Sequence, residues 1–376
     1  VVLDTEYISN PGERPVPVCA VAYELRSGRK HKFWAYGKGN QKTKPPWIDG
    51  EDVLTVQFYG LAENGFYLSM GWKLPKNVID LFSAFCWFKN GRKLRNGGGK
   101  SLLGAMNAFG LDSMLAEEKE FWRDLIIHRA WNEDQIDGIL EYCEKDVICT
   151  VRLLYKMAPL IDWPRELHRG NYVKALSMIE MTGIPVDAET LEKIKEAWPS
   201  IKEELMIEAN KIHPFYEKGS FKLKAFEEYL KKNKIPWERT PSGRPNTSSD
   251  YFKGMAVSRP EIAKLREIRD SIQSFKNLKI TVGKDGRNRF MQSPFASISG
   301  RNQPSNSRNI FGGPKWMRNL IQPPPGYAMA YCDWSGNEVG IAGYLSQDQL
   351  MMEMYESPDF YLSFAKHVRH APPDAT

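Results

Sequence analysis

Three acids stand where apolar runs end. Val1-Val2-Leu3 leads straight into Asp4-Thr5-Glu6, and Ala328-Met329-Ala330-Tyr331-Cys332 leads into Asp333. Runs that apolar predict buried strands. A carboxylate at the tip of such a strand is placed to hold a metal ion. Asp4 and Glu6 flank one residue, so on a strand their side chains share a face. Two carboxylates that close repel unless a cation sits between them. Far along the chain, Tyr142 and Asp146 are four apart, one above the other on a helix face. Asp146 borders an apolar stripe, where a bare charge is costly. A divalent cation accounts for Asp4, Glu6 and Asp146 together, and all-oxygen ligands favour Mg²⁺ or Mn²⁺ over zinc. Asp333 predicts a second metal-dependent site. Gly97-Gly98-Gly99-Lys100-Ser101 imitates the end of a phosphate-binding loop, but Leu94 stands where that motif needs glycine, so a plain loop is expected.

Composition limits the alternatives. The 376 residues, 42% hydrophobic and 26% charged, fit a globular chain of two or three domains. No apolar stretch reaches the roughly 18–20 residues that span a bilayer, and no secretory signal is visible. The five cysteines are scattered without a CxxC pair, so neither a zinc site nor a disulfide framework is expected, and a cytoplasmic setting is. Net charge is +6, unevenly placed. Nine basic residues (Lys276, Lys279, Lys284, Arg287, Arg289, Arg301, Arg308, Lys315, Arg318) and one acid, Asp285, fall between 271 and 320. That basic segment suits a polyanionic partner. The chain begins without Met, almost inside a strand, and is expected to be a piece of a longer protein.

The elements that must position these residues follow from pattern. Residues 1–160 read as an α/β unit. Strands are expected at Val1–Asp4, Val16–Leu25 with Phe33-Trp34 as hairpin partner, and Val53–Tyr59, with a loop over 37–50. A helix spans Asn132–Leu160, opened by an Asn132/Gln135 capping box and striped by Ile136, Ile139, Leu140, Cys143, Val147, Val151 and Leu154. Residues 166–235 are mostly helical, broken at Thr182–Asp187. A turn-rich connection over 235–249 precedes a helix at about Arg259–Lys279. Near the end, Ser346 caps a Met-rich helix and Ser357-Pro358 opens another.

The paired motifs Asp4-Thr5-Glu6 and Tyr142-Cys143-Glu144-Lys145-Asp146 resemble the first and third motifs of DEDD-type 3′–5′ exonucleases, in the variant where a tyrosine positions the attacking water. The best middle motif is Tyr59-Gly60-Leu61-Ala62-Glu63, with Glu63 where the family has Asp; Asp80 is a second acid nearby. The segment from Ser299-Gly300-Arg301 through Asn306, Arg308 and Asn309 to Asp333 and Glu338 is similar to family A DNA polymerases, the DNA polymerase I family. Leu345-Ser346-Gln347-Asp348 continues that likeness, and Ile235-Pro236 with Thr240–Gly243 resembles a thumb. The order exonuclease, thumb, palm is the family's own.

The resemblance implies a ribonuclease H-like mixed sheet with flanking helices over 1–160. A mainly helical thumb follows over 161–285, then a partial α+β palm over 286–376. It implies Asp4, Glu6, Asp146 and Asp333 as metal ligands, and Glu63, Tyr142 and Glu338 in catalytic positions. Glu338 would exclude a ribose 2′-hydroxyl. Arg301, Asn306, Arg308, Asn309, Lys276 and Lys279 would contact primer–template DNA, with deoxynucleoside triphosphates as substrates of the full-length protein. Gly336, Asn337 and Gly340 depart from the common pattern after Asp333. No fingers motif or second palm carboxylate follows, so the polymerase site is expected to be incomplete in this chain. A stand-alone nuclease on RNA or DNA and an inactive DNA-binding module stay open; Mn²⁺-dependent cleavage of labelled single strands separates the three.

Overall fold

The computed structural model describes every residue except 39–43, 93–98, 113–115, 218–219, 277–278, 306, 314 and 376. The chain forms two compact units, Val1–Gln322 and Pro323–Thr376.

A five-stranded mixed sheet organises the first unit. Its strands are β1 (Val2–Ile8), β2 (Val16–Tyr23), β3 (Lys30–Trp34), β4 (Leu54–Gln57) and β5 (Asn77–Asp80), in the order β3-β2-β1-β4-β5. The β1–β2–β3 meander is antiparallel, and β4 and β5 run parallel to β1. Helices α1 (Leu61–Met70) and α2 (Leu81–Lys89) follow β4 and β5 directly. The period of two along β1 divides its residues between two cores. Val2 and Ile8 join a cluster with Val18, Val56, Ile79 and the long helix below, whereas Leu3 packs with Ala20, Phe66, Tyr67, Met70 and Trp72 on the other face. Asp4 and Glu6 share the parity of Val2 and Ile8, so they face the long helix.

Helices α3 (Leu102–Ala108), α4 (Ala116–His128) and α5 (Glu133–Met157) complete this part. The Asn132/Gln135 capping box of α5 forms in both directions. Ile139, Cys143, Val147, Val151 and Leu154 are buried as the stripe predicts, and each full aliphatic burial contributes roughly 1.5–3 kcal/mol. Helix α6 (Trp163–Thr182) lies so close to β5 that a Cβ on Gly170 would sit 1.9 Å from the Val78 carbonyl oxygen. Only glycine fits that contact.

Strand β6 (Ile184–Pro185) leads into α7 (Ala188–Ile212), the small pair β7 (Tyr216–Glu217) and β8 (Ser220–Phe221), α8 (Leu223–Lys232), α9 (Ser249–Ser258) and α10 (Pro260–Lys276). Their shared core centres on Phe215, Phe226, Phe252, Ile262 and Leu265. Helix α9, capped by Ser248, is an element that the turn-rich composition hid. Strand β9 (Arg287–Asn288) pairs with β6, and Val186, Leu191, Ile280, Ile310 and Met317 close a further cluster, so residues 286–322 belong to the first unit.

The second unit holds α11 (Asn337–Ser346), α12 (Gln349–Glu356) and α13 (Phe360–His367). The strand expected at Ala328–Cys332 does not form: these residues are extended but unpaired, with Tyr331 89% exposed. A strand needs a neighbour for its hydrogen bonds, and among the described residues of this unit none supplies one. The caps also shift. Asp348, not Ser346, caps α12, and Asp359 rather than Ser357 caps α13, because each carboxylate accepts from the backbone N–H three residues on. Among the described residues no helix is long and apolar enough to cross a membrane.

Candidate active site

One cavity of about 880 Å³ in the first unit is lined by Asp4, Glu6, Glu63, Tyr142 and Asp146 together. Strand β1 presents Asp4 and Glu6, with a register irregularity immediately after Glu6 that bends the strand at the site. Helix α5 crosses β1 and supplies Tyr142, Cys143 and Asp146. Ligating atoms of Asp4, Glu6 and Cys143 lie within 4.8 Å of one another, and neither Glu63 nor Asp146 belongs to that closest group. The Cys143 thiol donates to the Asp4 backbone oxygen at 3.3 Å and to its Oδ2 at 3.4 Å. Burial pushes that thiol well above its usual range, so it stays protonated and acts as a donor. Tyr142 is 2% exposed and stacks on Trp122, 6.1 Å between centroids.

Asp146 does not face the cavity bare. Lys119 of α4 donates from Nζ to both of its carboxylate oxygens, at 2.8 Å each. Neither Lys119 nor Arg123, which also lines the cavity, was singled out from the sequence. The available signal was spacing: Ile126 lies seven residues after Lys119, on the same face of the helix, and these two are its buried residues.

The buried acids also act on one another's charge. Burial, then the charge of Asp146, pushes the Asp4 carboxyl up to about 8, against the opposing pull of Lys119, Cys143 and Arg123. Glu6 is raised well above the carboxylate range by burial and then by Asp4 and Asp146. Glu63 is raised by burial and then by Asp4; it is 1% exposed, and its Oε2 has no hydrogen-bond partner among the described residues. Burial also raises the Tyr142 phenol, with Glu6 adding to the shift. The unpartnered buried Oε2 of Glu63, and the Asp4 and Glu6 oxygens within 4.8 Å of each other, fit a divalent cation. The carboxylate-rich donor set suits Mg²⁺ or Mn²⁺.

Asp80 has another task. Its Oδ1 accepts from the backbone N–H of Tyr59 (2.9 Å), Gly60 (3.2 Å) and Phe82 (3.2 Å), and its Oδ2 accepts from Ser83 N and Oγ. It caps α2 and pins the turn before α1, where Tyr59 holds a left-handed φ of 69°. That turn places Glu63. Asp80→Ala is expected to lower stability by about 3 kcal/mol or more, because several buried donors lose their acceptor at once. Urea unfolding checks this; a change below about 1 kcal/mol would contradict the role.

The basic segment is smaller at the surface than its composition suggests. Arg289 is buried, paired with both oxygens of Asp285 and donating to the carbonyls of Gly12, Met181 and Thr182. Arg287 donates to the Gly183 carbonyl. Asn309, expected at a DNA surface, is buried, and its Oδ1 caps the short 3₁₀ turn at Ile310–Gly312. Both changes have one cause: a loop-rich segment must satisfy its own backbone and its neighbours', and these side chains do so. Lys279, Arg301 and Arg308 are exposed. Lys276 ends α10, and Asn306 lies outside the described residues. The same segment borders the acidic cavity through Met291, Ser293, Ala296 and Gln303, and is fastened by Tyr59 Oη to the Gln292 carbonyl at 2.6 Å and by Asn90 to the Ile298 carbonyl. Of the Gly97–Ser101 stretch, Gly97 and Gly98 lie outside the described residues; Ser101 caps α3 and Lys100 donates to the Ala296 carbonyl. In the second unit Asp333 is exposed, and Glu338 lies in the first turn of α11 rather than in a turn beyond a strand.

No protein-family model matches the sequence, and no curated protein matches it either. A solved structure does. The chain is similar to the polymerase domain of Pol1 from M. smegmatis, in a complex with DNA primer–template and dNTP, with a TM-score of 0.66. The match covers 98% of this chain and 63% of that one, at 14% identity. The likeness is one of fold, and the chain spans less than two thirds of that structure.

Proposed function

We propose that this chain is part of a family A DNA polymerase whose amino-terminal region, residues 1–160, is a divalent-cation-dependent 3′–5′ exonuclease. The gathering of Asp4, Glu6, Glu63, Tyr142 and Asp146 around one cavity carries this reading; they come from β1, α1 and α5, far apart in sequence. The polymerase part rests on the fold shared with the Pol1 polymerase domain over 98% of the chain, and on the Arg301-to-Glu338 motifs.

Asp4 and Glu6 would hold the cation. Mg²⁺ or Mn²⁺ supplies an activated water and neutralises phosphate charge when bound. The chain's own groups do the rest. The Tyr142 phenol, kept protonated, orients a water by hydrogen bonding. Arg123 offers charge to a phosphate backbone, and Tyr59, Phe58 and Phe82, which line the same cavity, offer rings to terminal bases. Lys279, Arg301 and Arg308 meet duplex phosphates, Asp333 is the first carboxylate of the polymerase site, and Glu338 stands by the sugar of an incoming dNTP. The free cysteines agree with action in the cytoplasm.

The test is degradation of 5′-labelled single-stranded DNA with Mg²⁺. Stepwise shortening from the 3′ end, absent with chelator, is the expected result. Cleavage confined to RNA would favour the stand-alone nuclease. No cleavage with either cation would leave only a DNA-binding module.

A further inference from the structure

We propose that Lys119 is a resident cation of the acidic cleft. Its ammonium occupies Asp146, so that the cleft takes one divalent ion, on Asp4 and Glu6, rather than two. This rests on the reading of the cleft as a cation site.

The first support is geometric. Both oxygens of Asp146 are engaged by Lys119 Nζ at 2.8 Å, and both side chains are about nine-tenths buried. Both carboxylate oxygens of Asp146 therefore already have a cationic partner. The second support is the ligand census. The closest group among the described residues is Asp4, Glu6 and Cys143, and Asp146 is outside it. Cys143 donates its thiol hydrogen to Asp4 and adds no negative charge. Asp4 and Glu6 are then the two carboxylates within 4.8 Å of each other; Glu63 lines the same cavity but stands outside that group. Two hard divalent ions need more anionic oxygen than that to offset their charge. The third support is the helix that carries Lys119. Lys119 and Ile126 are the buried residues of α4, so the lysine stands where an amphipathic helix would place an apolar side chain. Burying an ammonium is costly unless it is paired. Its pairing with Asp146 fastens α4 to α5 and holds a positive charge in the cleft without a second ion. Lys119 is thus a positioning residue: it fixes Asp146 and sets how many ions enter.

Counting Mn²⁺ tests this. Ions bound per chain would be measured by titration calorimetry and by the loss of the free Mn²⁺ paramagnetic resonance signal. The full chain would be used, with the Asp4→Asn/Asp146→Asn double variant as the blank. The wild type is expected to take up one ion above the blank. Lys119→Met, which frees Asp146, is expected to take up two, and Lys119→Arg, which keeps the charge, one. Two ions in the wild type would overturn the proposal, since Lys119 would then yield to a metal. One ion in a folded Lys119→Met would overturn it as well. Should Lys119→Met fail to fold, the wild-type and Lys119→Arg counts still decide: one each supports the proposal, and two in either refutes it. No ion above the blank in the wild type would reject the cation site itself, and the proposal with it.

Discussion

Asp4→Asn is expected to reduce Mg²⁺-supported 3′–5′ degradation by about 10³-fold or more, since changing even an outer partner of a ligand typically costs 10–100-fold. The amide keeps the shape of the side chain, so loss of fold is not the cause of the loss of activity. What disappears is one of the two carboxylates that lie within 4.8 Å of each other. The same variant should melt higher than the wild type when both are metal-free at pH 7–8. Asp4 is a buried acid that the folded chain keeps protonated up to about 8 against an ordinary value of 3.8. Across that window the folded chain holds a proton that the unfolded chain has released, so metal-free stability falls as pH rises through it. An uncharged residue at position 4 removes that penalty. Single-turnover cleavage and thermal melting check the two halves. Activity within tenfold of the wild type would remove Asp4 from the site; a lower metal-free melting point would contradict the electrostatic account.

The affinity of the cleft for Mn²⁺ is expected to rise about 10²-fold between pH 6 and pH 8, because a ligand must lose its proton to bind metal. Below about 8 the Asp4 carboxyl is protonated. Each pH unit in that range then strengthens binding about tenfold for each proton displaced. Glu6, also raised, steepens the dependence. The measurement is calorimetric titration in two buffers of different ionisation enthalpy, which counts the protons released. Affinity that is flat over this range, with no proton release, would mean that the acids are already ionised and that the crowding inferred from the structure is wrong. The sign follows from the depth of the site: a cation restores the balance that burial and mutual repulsion disturb.

Local order in the chain was enough for much of the cleft. Spacing of two on β1 put Asp4 and Glu6 on one face, and spacing of four on α5 put Tyr142 above Asp146. Hydrophobic stripes and caps drew α5 almost to its ends. These features depend on a few neighbouring residues, which is why a sequence displays them. Glu63 was reachable only through a motif, yet it lines the same cavity.

Tertiary structure decided what depends on distant partners. Lys119 meets Asp146 only because α4 folds back onto α5. Asp80 and Glu63 stand at similar distances along the sequence from Asp4, but a ring of backbone amides claims Asp80 and none claims Oε2 of Glu63. Arg289 and Asn309 read as surface groups until the carbonyls and amides that occupy them are seen. Ala328–Cys332 has the composition of a buried strand and stays unpaired. Composition sets a segment's preference for burial, but a sheet forms only where a second strand offers its hydrogen bonds.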